Sequence, residues 1–416
     1  MKLETRNSKL ETRNSKLKAS MRTFMHRFKI ITLLSLSVIL QVLFSPYNIR
    51  GDEFILIPSM ALKQEYNEYA EDFITTVSPG VKLTERTERL DSGLSGRIDQ
   101  VIYAENNEYN ALNHHYTGQI AYRLTERMRA SSEASYIKDS RRDRDVEETG
   151  LVLGTATRER YHCAFSGSYL VSEITAMALS YAYDEDAFDD PEFVTYRSDS
   201  VNIGLTHNLS YFVPLMVGRM NLGYARYDFT SAITENYLLT VGASWELSET
   251  LSLLVDFGGR YTFSEYNKYA WTSDYQLVPY VEKDEAWATT GKVDLTFTGE
   301  LMKWTFTLSQ DIRAASGRVG TTERTMLAFN INQRFTDKFR GNLSARYYLN
   351  LADQEGVTTD EEHTLRISSR LRYDFTRDIS LEASYAFTTV IDREADTTTH
   401  RNLIFTRFIF RYPFFE

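Results

Sequence analysis

The stretch Leu251-Ser-Leu-Leu-Val-Asp-Phe-Gly-Gly-Arg-Tyr-Thr-Phe263 sorts its side chains by alternate positions. Leu251, Leu253, Val255, Phe257, Gly259, Tyr261 and Phe263 fall on one face, and Ser252, Leu254, Asp256, Gly258, Arg260 and Thr262 on the other. A period of two is the signature of a strand with one apolar side. The pattern recurs in Phe339–Asn350, where Phe339, Leu343, Ala345, Tyr347 and Leu349 oppose Arg340, Asn342, Ser344, Arg346 and Asn350. It recurs again in Leu365–Phe375, where Leu365, Ile367, Leu371, Tyr373 and Phe375 oppose Arg366, Ser368, Arg370, Arg372 and Asp374. Such strands have two possible homes. In a soluble sandwich the apolar side enters a core, whereas in a membrane barrel it meets lipid and the polar side lines a lumen.

The connections favour the barrel. A hydrophobic–Ser/Thr–two residues–hydrophobic motif recurs at Leu124–Met128, Leu247–Leu251, Phe335–Phe339 and Phe375–Ile379. Looser copies stand near Thr84–Arg86, Ser172–Ile174, Val213–Leu215 and Gly299–Leu301. Between them lie longer acidic segments, Asp139–Glu148, Asp184–Glu192, Tyr266–Glu285 and Leu351–Glu362. Tight turns at one end and long loops at the other are the asymmetry of outer-membrane barrels. Eight turns give nine hairpins, so the expected fold is all-β: a closed antiparallel transmembrane β-barrel of about eighteen strands. The strand centres fall near residues 60, 79, 96, 117, 133, 160, 179, 204, 221, 241, 257, 293, 308, 329, 344, 369, 385 and 407. Both termini then lie in the periplasm, and closure leaves no sheet edge exposed.

Composition agrees. Tyr (27) and Phe (24) are abundant in a chain with no spanning-length apolar run after residue 50, as alternation requires. The net charge of -10 argues against a nucleic-acid partner, and the single Cys163 excludes an intramolecular disulfide. Residues 1–20 contain a tandem KLETRNS repeat, which is either read-through ahead of a start at Met21 or Met25 or a short natural extension. Residues 21–51 combine a basic head (Arg22, His26, Arg27, Lys29), an apolar run from Ile30 to Phe44 and a polar tail, the plan of a secretory signal peptide. Residues 52–416 form the barrel. Its last strand, Arg401–Glu416, places Ile404, Phe408, Phe410, Tyr412 and Phe414 on one face. That aromatic alternation resembles the signal read by the barrel-insertion machinery, although Glu416 follows the last aromatic residue.

The opening of the barrel carries a more specific likeness. It reads Ile57-Pro58-Ser59-Met60-Ala61-Leu62, Glu65-Tyr66-Asn67 and Asp72-Phe73-Ile74-Thr75-Thr76-Val77-Ser78-Pro79-Gly80. These words resemble the start of the β-barrel porin 2 group, which includes barrels associated with PEP-CTERM and exopolysaccharide gene clusters. The resemblance covers about thirty residues. It implies a barrel in the outer membrane of a Gram-negative bacterium, in contact with lipid and lipopolysaccharide. For the polysaccharide-linked members it implies a periplasmic polysaccharide export protein as partner, and it assigns no catalytic residues or cofactor.

In a barrel, Arg340, Arg346, Arg366, Arg370, Arg372, Arg407 and Arg411 project inward, with Asp374 and Glu382 as acidic partners. They form either a basic wall that attracts anionic sugars or solutes, or paired charges that stiffen the barrel. Tyr266, Tyr269, Trp271, Tyr275 and Tyr280 in the longest expected loop are either glycan-stacking faces or interfacial packing. The acidic loop Asp184–Glu192 lacks EF-hand spacing and reads as solvated charge. None of His114, His115, His162, His207, His363 or His400 sits in a Gly-x-Ser-x-Gly or His-Glu-x-x-His context, so no enzyme is expected. Three functions remain: a conduit for polysaccharide export, a general or solute-selective diffusion porin, and a structural barrel such as a cytochrome sheath or surface platform.

Overall fold

The computed structural model describes residues 53–68, 71–140, 156–271, 277–314, 320–352, 360–393 and 396–413. The expected leader and the repeat before it lie outside these residues, as do Tyr275 and the final Phe414, Phe415 and Glu416. Eighteen strands follow one another: β1 (Glu53–Asn67), β2 (Asp72–Arg86), β3 (Leu90–Tyr103), β4 (Ala111–Arg123), β5 (Met128–Asp139), β6 (Arg158–Ser172), β7 (Thr175–Phe188), β8 (Tyr196–Asn208) and β9 (Met216–Phe229). The second half comprises β10 (Ala232–Glu246), β11 (Leu251–Trp271), β12 (Leu277–Thr298), β13 (Met302–Ala314), β14 (Thr321–Arg334), β15 (Phe339–Ala352), β16 (Asp360–Asp374), β17 (Ile379–Asp392) and β18 (Thr397–Arg411). Every expected strand centre falls inside an observed strand.

Each strand pairs antiparallel with its neighbours in sequence, and β18 returns to β1 from Ser59↔Arg411 to Asn67↔Leu403. The chain therefore forms a closed eighteen-stranded antiparallel barrel with both strand termini at one end. Closure supplies each strand with a partner on both sides, which a barrel in lipid requires because no water is there to satisfy the backbone.

The short turns gather at the end that holds the termini. Their recurring hydroxyl has a local function. The Ser248 Oγ accepts the backbone N–H of Thr250 (3.3 Å) and Leu251 (3.1 Å). Thr336 does the same for Lys338 and Phe339, and Thr376 for Asp378 and Ile379. Thr87 repeats the device for Arg89 and Leu90. These hydroxyls tie the turn to itself and fix the register of the hairpins they join.

The outer face carries an apolar belt between two aromatic rows. Toward the loop end, Tyr224, Tyr237, Tyr261 and Trp287 follow one another across β9–β12 with centroids 4.8–6.3 Å apart. Tyr116, Tyr136 and Tyr161 continue the row on β4–β6. Toward the short turns stand Trp245 and the stacked Phe297–Trp304 pair. Tyr237 and Trp245 are eight residues apart on β10, and Trp287 and Phe297 are ten apart on β12. At about 3.3 Å per residue and a tilt of about 40°, the rows lie roughly 20–25 Å apart, the height of the apolar band of an outer-membrane barrel. Val241 and Phe257 between them are 59% and 64% exposed, which in water would be a costly surface.

Two expected loops are strands for part of their length. Of Tyr266–Glu285, the described residues 266–271 and 277–285 form the upper part of a long strand pair, because β11 continues to Trp271 and β12 begins at Leu277. Asp184 to Phe188 belongs to β7. Above the belt no lipid selects for apolar residues on alternate positions, so the period disappears while the backbone pairing continues. Charge pairs take over, Lys268 with Glu282 and Lys283 with Glu265. The loop end is also less uniform than expected, since only residues 230–231 join β9 to β10.

The wall parts between β12 and β13. β12 pairs with β13 only through Gly291–Thr298 against Lys303–Gln310. Above that level β12 follows β11 alone, to Trp271↔Leu277, and β13 follows β14 to Ala314↔Thr321.

Candidate functional site

Alternation places one face of β13–β18 toward the lumen, and in the short-turn half that face is basic. Register sets the spacing: Arg334 lies opposite Arg340, Arg340 opposite Arg372, Arg372 opposite Glu382, and Glu382 opposite Arg407. Adjacent strands lie about 4.8 Å apart, so three arginines on β14, β15 and β16 stand side by side in one row. Like charges directly opposite one another repel.

Two carboxylates offset part of this charge. Asp374 accepts from Arg340 Nη2 at 2.9 Å and from Arg372 Nε at 2.8 Å. Glu382, almost fully buried, accepts from Arg407 Nη2 at 2.9 Å and pairs with Arg370 at 3.4 Å. Among the described residues, Lys303, Arg334 and Arg411 have no carboxylate within 4.0 Å. The row and its surroundings enclose a cavity of about 580 Å³ whose lining includes Lys303, Arg334, Arg340, Arg346, Arg370 and Arg372 against two acids, Glu300 and Glu382. Asn342 adds a neutral donor network, with Nδ2 donating to Asn330 Oδ1 (2.7 Å) and Asn332 Oδ1 (3.0 Å).

Most of the sequence-predicted residues are thus brought together. Arg340, Arg346, Arg370, Arg372 and Glu382 line the cavity, and Asp374 and Arg407 hold its arginines or its acid. Arg366 lies higher on the wall, buried, donating to Thr388 Oγ1 at 2.9 Å. Arg411 stands at the short-turn rim opposite Ser59. Lys303 and Arg334 were missed although the signal was present: extending the alternation of β14 through Asn330 and Asn332 reaches Arg334 just before the Phe335-Thr336 turn.

The proposed aromatic set is not a cluster. Tyr266 is buried on the inner face of β11 with Tyr196, Phe229, Ala232 and Ala314, whereas Tyr280 is exposed on β12. Tyr269 and Trp271 belong to β11, and Tyr275 lies outside the described residues. A stack of five rings on one loop is therefore replaced by a core tyrosine and a hairpin position.

The acidic segment of β7 is also lumen chemistry rather than solvated loop charge. Arg158, only 2% exposed, donates to Asp139 at 2.9 Å and pairs with Asp186, itself fully buried, at 3.5 Å. Arg160 grips the same Asp186 through Nε (2.6 Å) and Nη2 (2.7 Å). The two-point grip is the strong geometry for guanidinium and carboxylate. Lower on this wall, His162 sits between Asp184 (2.7 Å) and Glu133 (3.2 Å) beside a second cavity of about 500 Å³. At the loop rim, Asp72 accepts the backbone N–H groups of Ala104, Glu105 and Asn106. Enclosure pushes this carboxyl up, but the donors outweigh it and hold its pKa below the ordinary aspartate value. Among the described residues, no group of three or more His, Cys, Asp or Glu side chains is placed to hold a metal ion.

No protein-family model matches the sequence, and no curated protein does. Solved structures of similar architecture include the ferric citrate transporter FecA in its unliganded form (TM-score 0.48, 8% identity), with 82% of this chain covered. This chain spans 60% of the FecA chain. The copper transporter OprC matches at TM-score 0.46 and 12% identity over 85% of this chain and 66% of that one. OccAB4 of Acinetobacter baumannii matches at 0.45 and 10% over 89% of this chain and all of that one. These are likenesses of large barrels and carry nothing about cargo or mechanism.

Proposed function

We propose that the protein is a channel of the Gram-negative outer membrane, with its short turns in the periplasm, and that its periplasmic vestibule selects anionic solutes. The observation that carries this reading is the row Arg334–Arg340–Arg372, in a cavity whose lining holds six basic side chains against the two acids Glu300 and Glu382. The contrast with the rest of the barrel supports it. The first 52 residues hold ten of the 47 basic and three of the 57 acidic residues, leaving 37 basic against 54 acidic from Glu53 on. A basic concentration within an acidic wall needs its own reason, and attraction of anions into a low-dielectric-walled lumen is the simplest one. Guanidinium forks suit carboxylate, sulfate and phosphate groups.

The test is the reversal potential in a planar bilayer under a potassium chloride gradient. The proposal expects chloride-favouring current in the wild type and loss of that preference on replacing Arg334 and Arg340 by Gln. Cation-favouring current that is insensitive to these changes would refute it. The opening words of β1 and β2 favour a narrower reading within the same site, passage of an acidic polysaccharide, which predicts that such a polymer blocks chloride current from the periplasmic side while a neutral glucan of equal length does not.

A further inference from the structure

We infer that residues 310–314 and 320–325, the described loop-end residues of the β13–β14 hairpin, are folded into the lumen beneath β10 and β11, and that they form the constriction of the pore, with Arg313 as the charge a passing solute meets. The second half rests on the channel reading above; the first does not.

Three observations place the hairpin inside. On β13 and β14 one face is lipid-type as far as Leu308 and Leu327, both more than 40% exposed, and turns polar at Gln310, Thr325 and Glu323. The change of character coincides with the level at which the wall parts. Beyond it the same face is buried, with Ala314 at 9% and Thr321 at 4%. The opposite face is buried too, at Thr322 and Arg324. A hairpin whose outward-pointing face is covered by protein is not part of an outer wall.

The covering layer is identified by its contacts. Ala314 packs in one cluster with Tyr196, Phe229, Ala232 and Tyr266, all from the inner faces of β8–β11. Arg260, from the inner face of β11, reaches Glu323 on the former outer face of β14 at 2.5 Å, and Gln310 donates to the same carboxylate. In an unbroken wall those strands stand three places apart, about 14 Å, with the two side chains on opposite faces. Layering of β13–β14 inside β11 removes both obstacles. It also accounts for the near-complete burial of Thr234, Asn236, Thr262 and Ser264, polar inner-face residues that water would otherwise reach.

The remaining face of the hairpin looks into the lumen. There Asp311 accepts from Arg324 Nε (3.1 Å) and Nη2 (2.8 Å), which packs over the Tyr348 ring, and from Arg313 Nε (3.1 Å). The Arg324 side chain is 4% exposed and that of Arg313 is 53% exposed. One acid between two guanidiniums leaves a net positive charge, and the exposed guanidinium carries it. The constriction therefore has the same sign as the vestibule below.

The experiment uses full-length protein carrying Cys163→Ser, with Arg313→Cys or Ala314→Cys added. In folded, detergent-solubilised protein, a bulky anionic methanethiosulfonate should modify position 314 at least roughly tenfold more slowly than position 313. Both should react alike in denaturant, which controls for thiol reactivity. Equal rates in folded protein would overturn the infolding. In bilayers, modification of the Arg313→Cys protein should remove at least about half of the conductance and shift the reversal potential toward cations. Protection at 314 with unchanged current after modification of 313 would overturn the constriction. Absence of any wild-type current would refute the channel reading and the constriction together, while the labelling rates would still decide the infolding.

Discussion

Replacement of Arg334 gives the most quantitative test of the vestibule. The side chain is exposed on the lumen face and has no carboxylate within 4.0 Å among the described residues, so it forms no ion pair there. A permeating ion that approaches to about 6 Å in water-like dielectric feels about 0.7 kcal/mol from one charge. Screening over a Debye length of about 10 Å at 0.1 M salt reduces this to about 0.4 kcal/mol. Arg334→Gln destabilises the anion and relieves the cation by that amount each, about 0.8 kcal/mol in the permeability ratio, or about fourfold. Arg334→Glu doubles the charge change and shifts the ratio about fifteenfold. Both changes should shrink at 1 M salt, where the screening length falls to about 3 Å. The assay is the reversal potential across a tenfold salt gradient. A ratio that does not move with either variant, or moves equally at low and high salt, would show that ions do not pass this wall.

The wall itself makes three further predictions. Val241, midway between the Tyr237 and Trp245 rows and 59% exposed, should cost about 2–4 kcal/mol of stability in lipid vesicles when changed to Arg, whereas Ser244→Arg on the lumen face should be close to neutral. Gly258 and Gly259 should separate sharply. A Cβ at Gly258 would run into the Leu239 carbonyl oxygen on β10, while Gly259 has nothing within 4 Å. Gly258→Ala should therefore lower the unfolding free energy by about 1–3 kcal/mol and Gly259→Ala should leave it nearly unchanged, as read by urea unfolding of vesicle-inserted protein. Arg158→Ala leaves the buried Asp186 and Asp139 without their shared guanidinium and should cost about 3–5 kcal/mol, read as a large fall in the temperature at which the barrel loses its compact migration on gels.

The fold was largely legible because lipid and lumen impose opposite demands on alternate residues over the whole belt. Leu251–Phe263 and Leu365–Phe375 show both demands in full, and the Ser/Thr turns mark where each hairpin reverses. The basic wall was legible for the same reason, since inward arginines alternate with Leu and Tyr. Legibility ended where one of the two demands ceased. Above Tyr261 and Trp287 both faces of β11–β12 meet water or protein, so Tyr266–Glu285 resembles a polar loop although it pairs throughout its described length. The infolded hairpin was hidden by a related effect. Once β13–β14 leaves the lipid, Gln310, Glu323 and Thr321 no longer have to be apolar, and polar residues on both faces again look like a loop. Arg260–Glu323 joins residues 63 apart in sequence, and no local pattern announces it.

Contact of the aromatic rows with lipid tests the account most directly. Trp287 is 80% exposed on the outer face, and Trp245 and Trp304 stand toward the opposite rim. Protein refolded into vesicles whose acyl chains carry bromine near the headgroups should lose much of its tryptophan emission relative to plain vesicles. Emission unchanged by the bromines, from protein that stays monomeric in buffer without detergent, would contradict the membrane barrel.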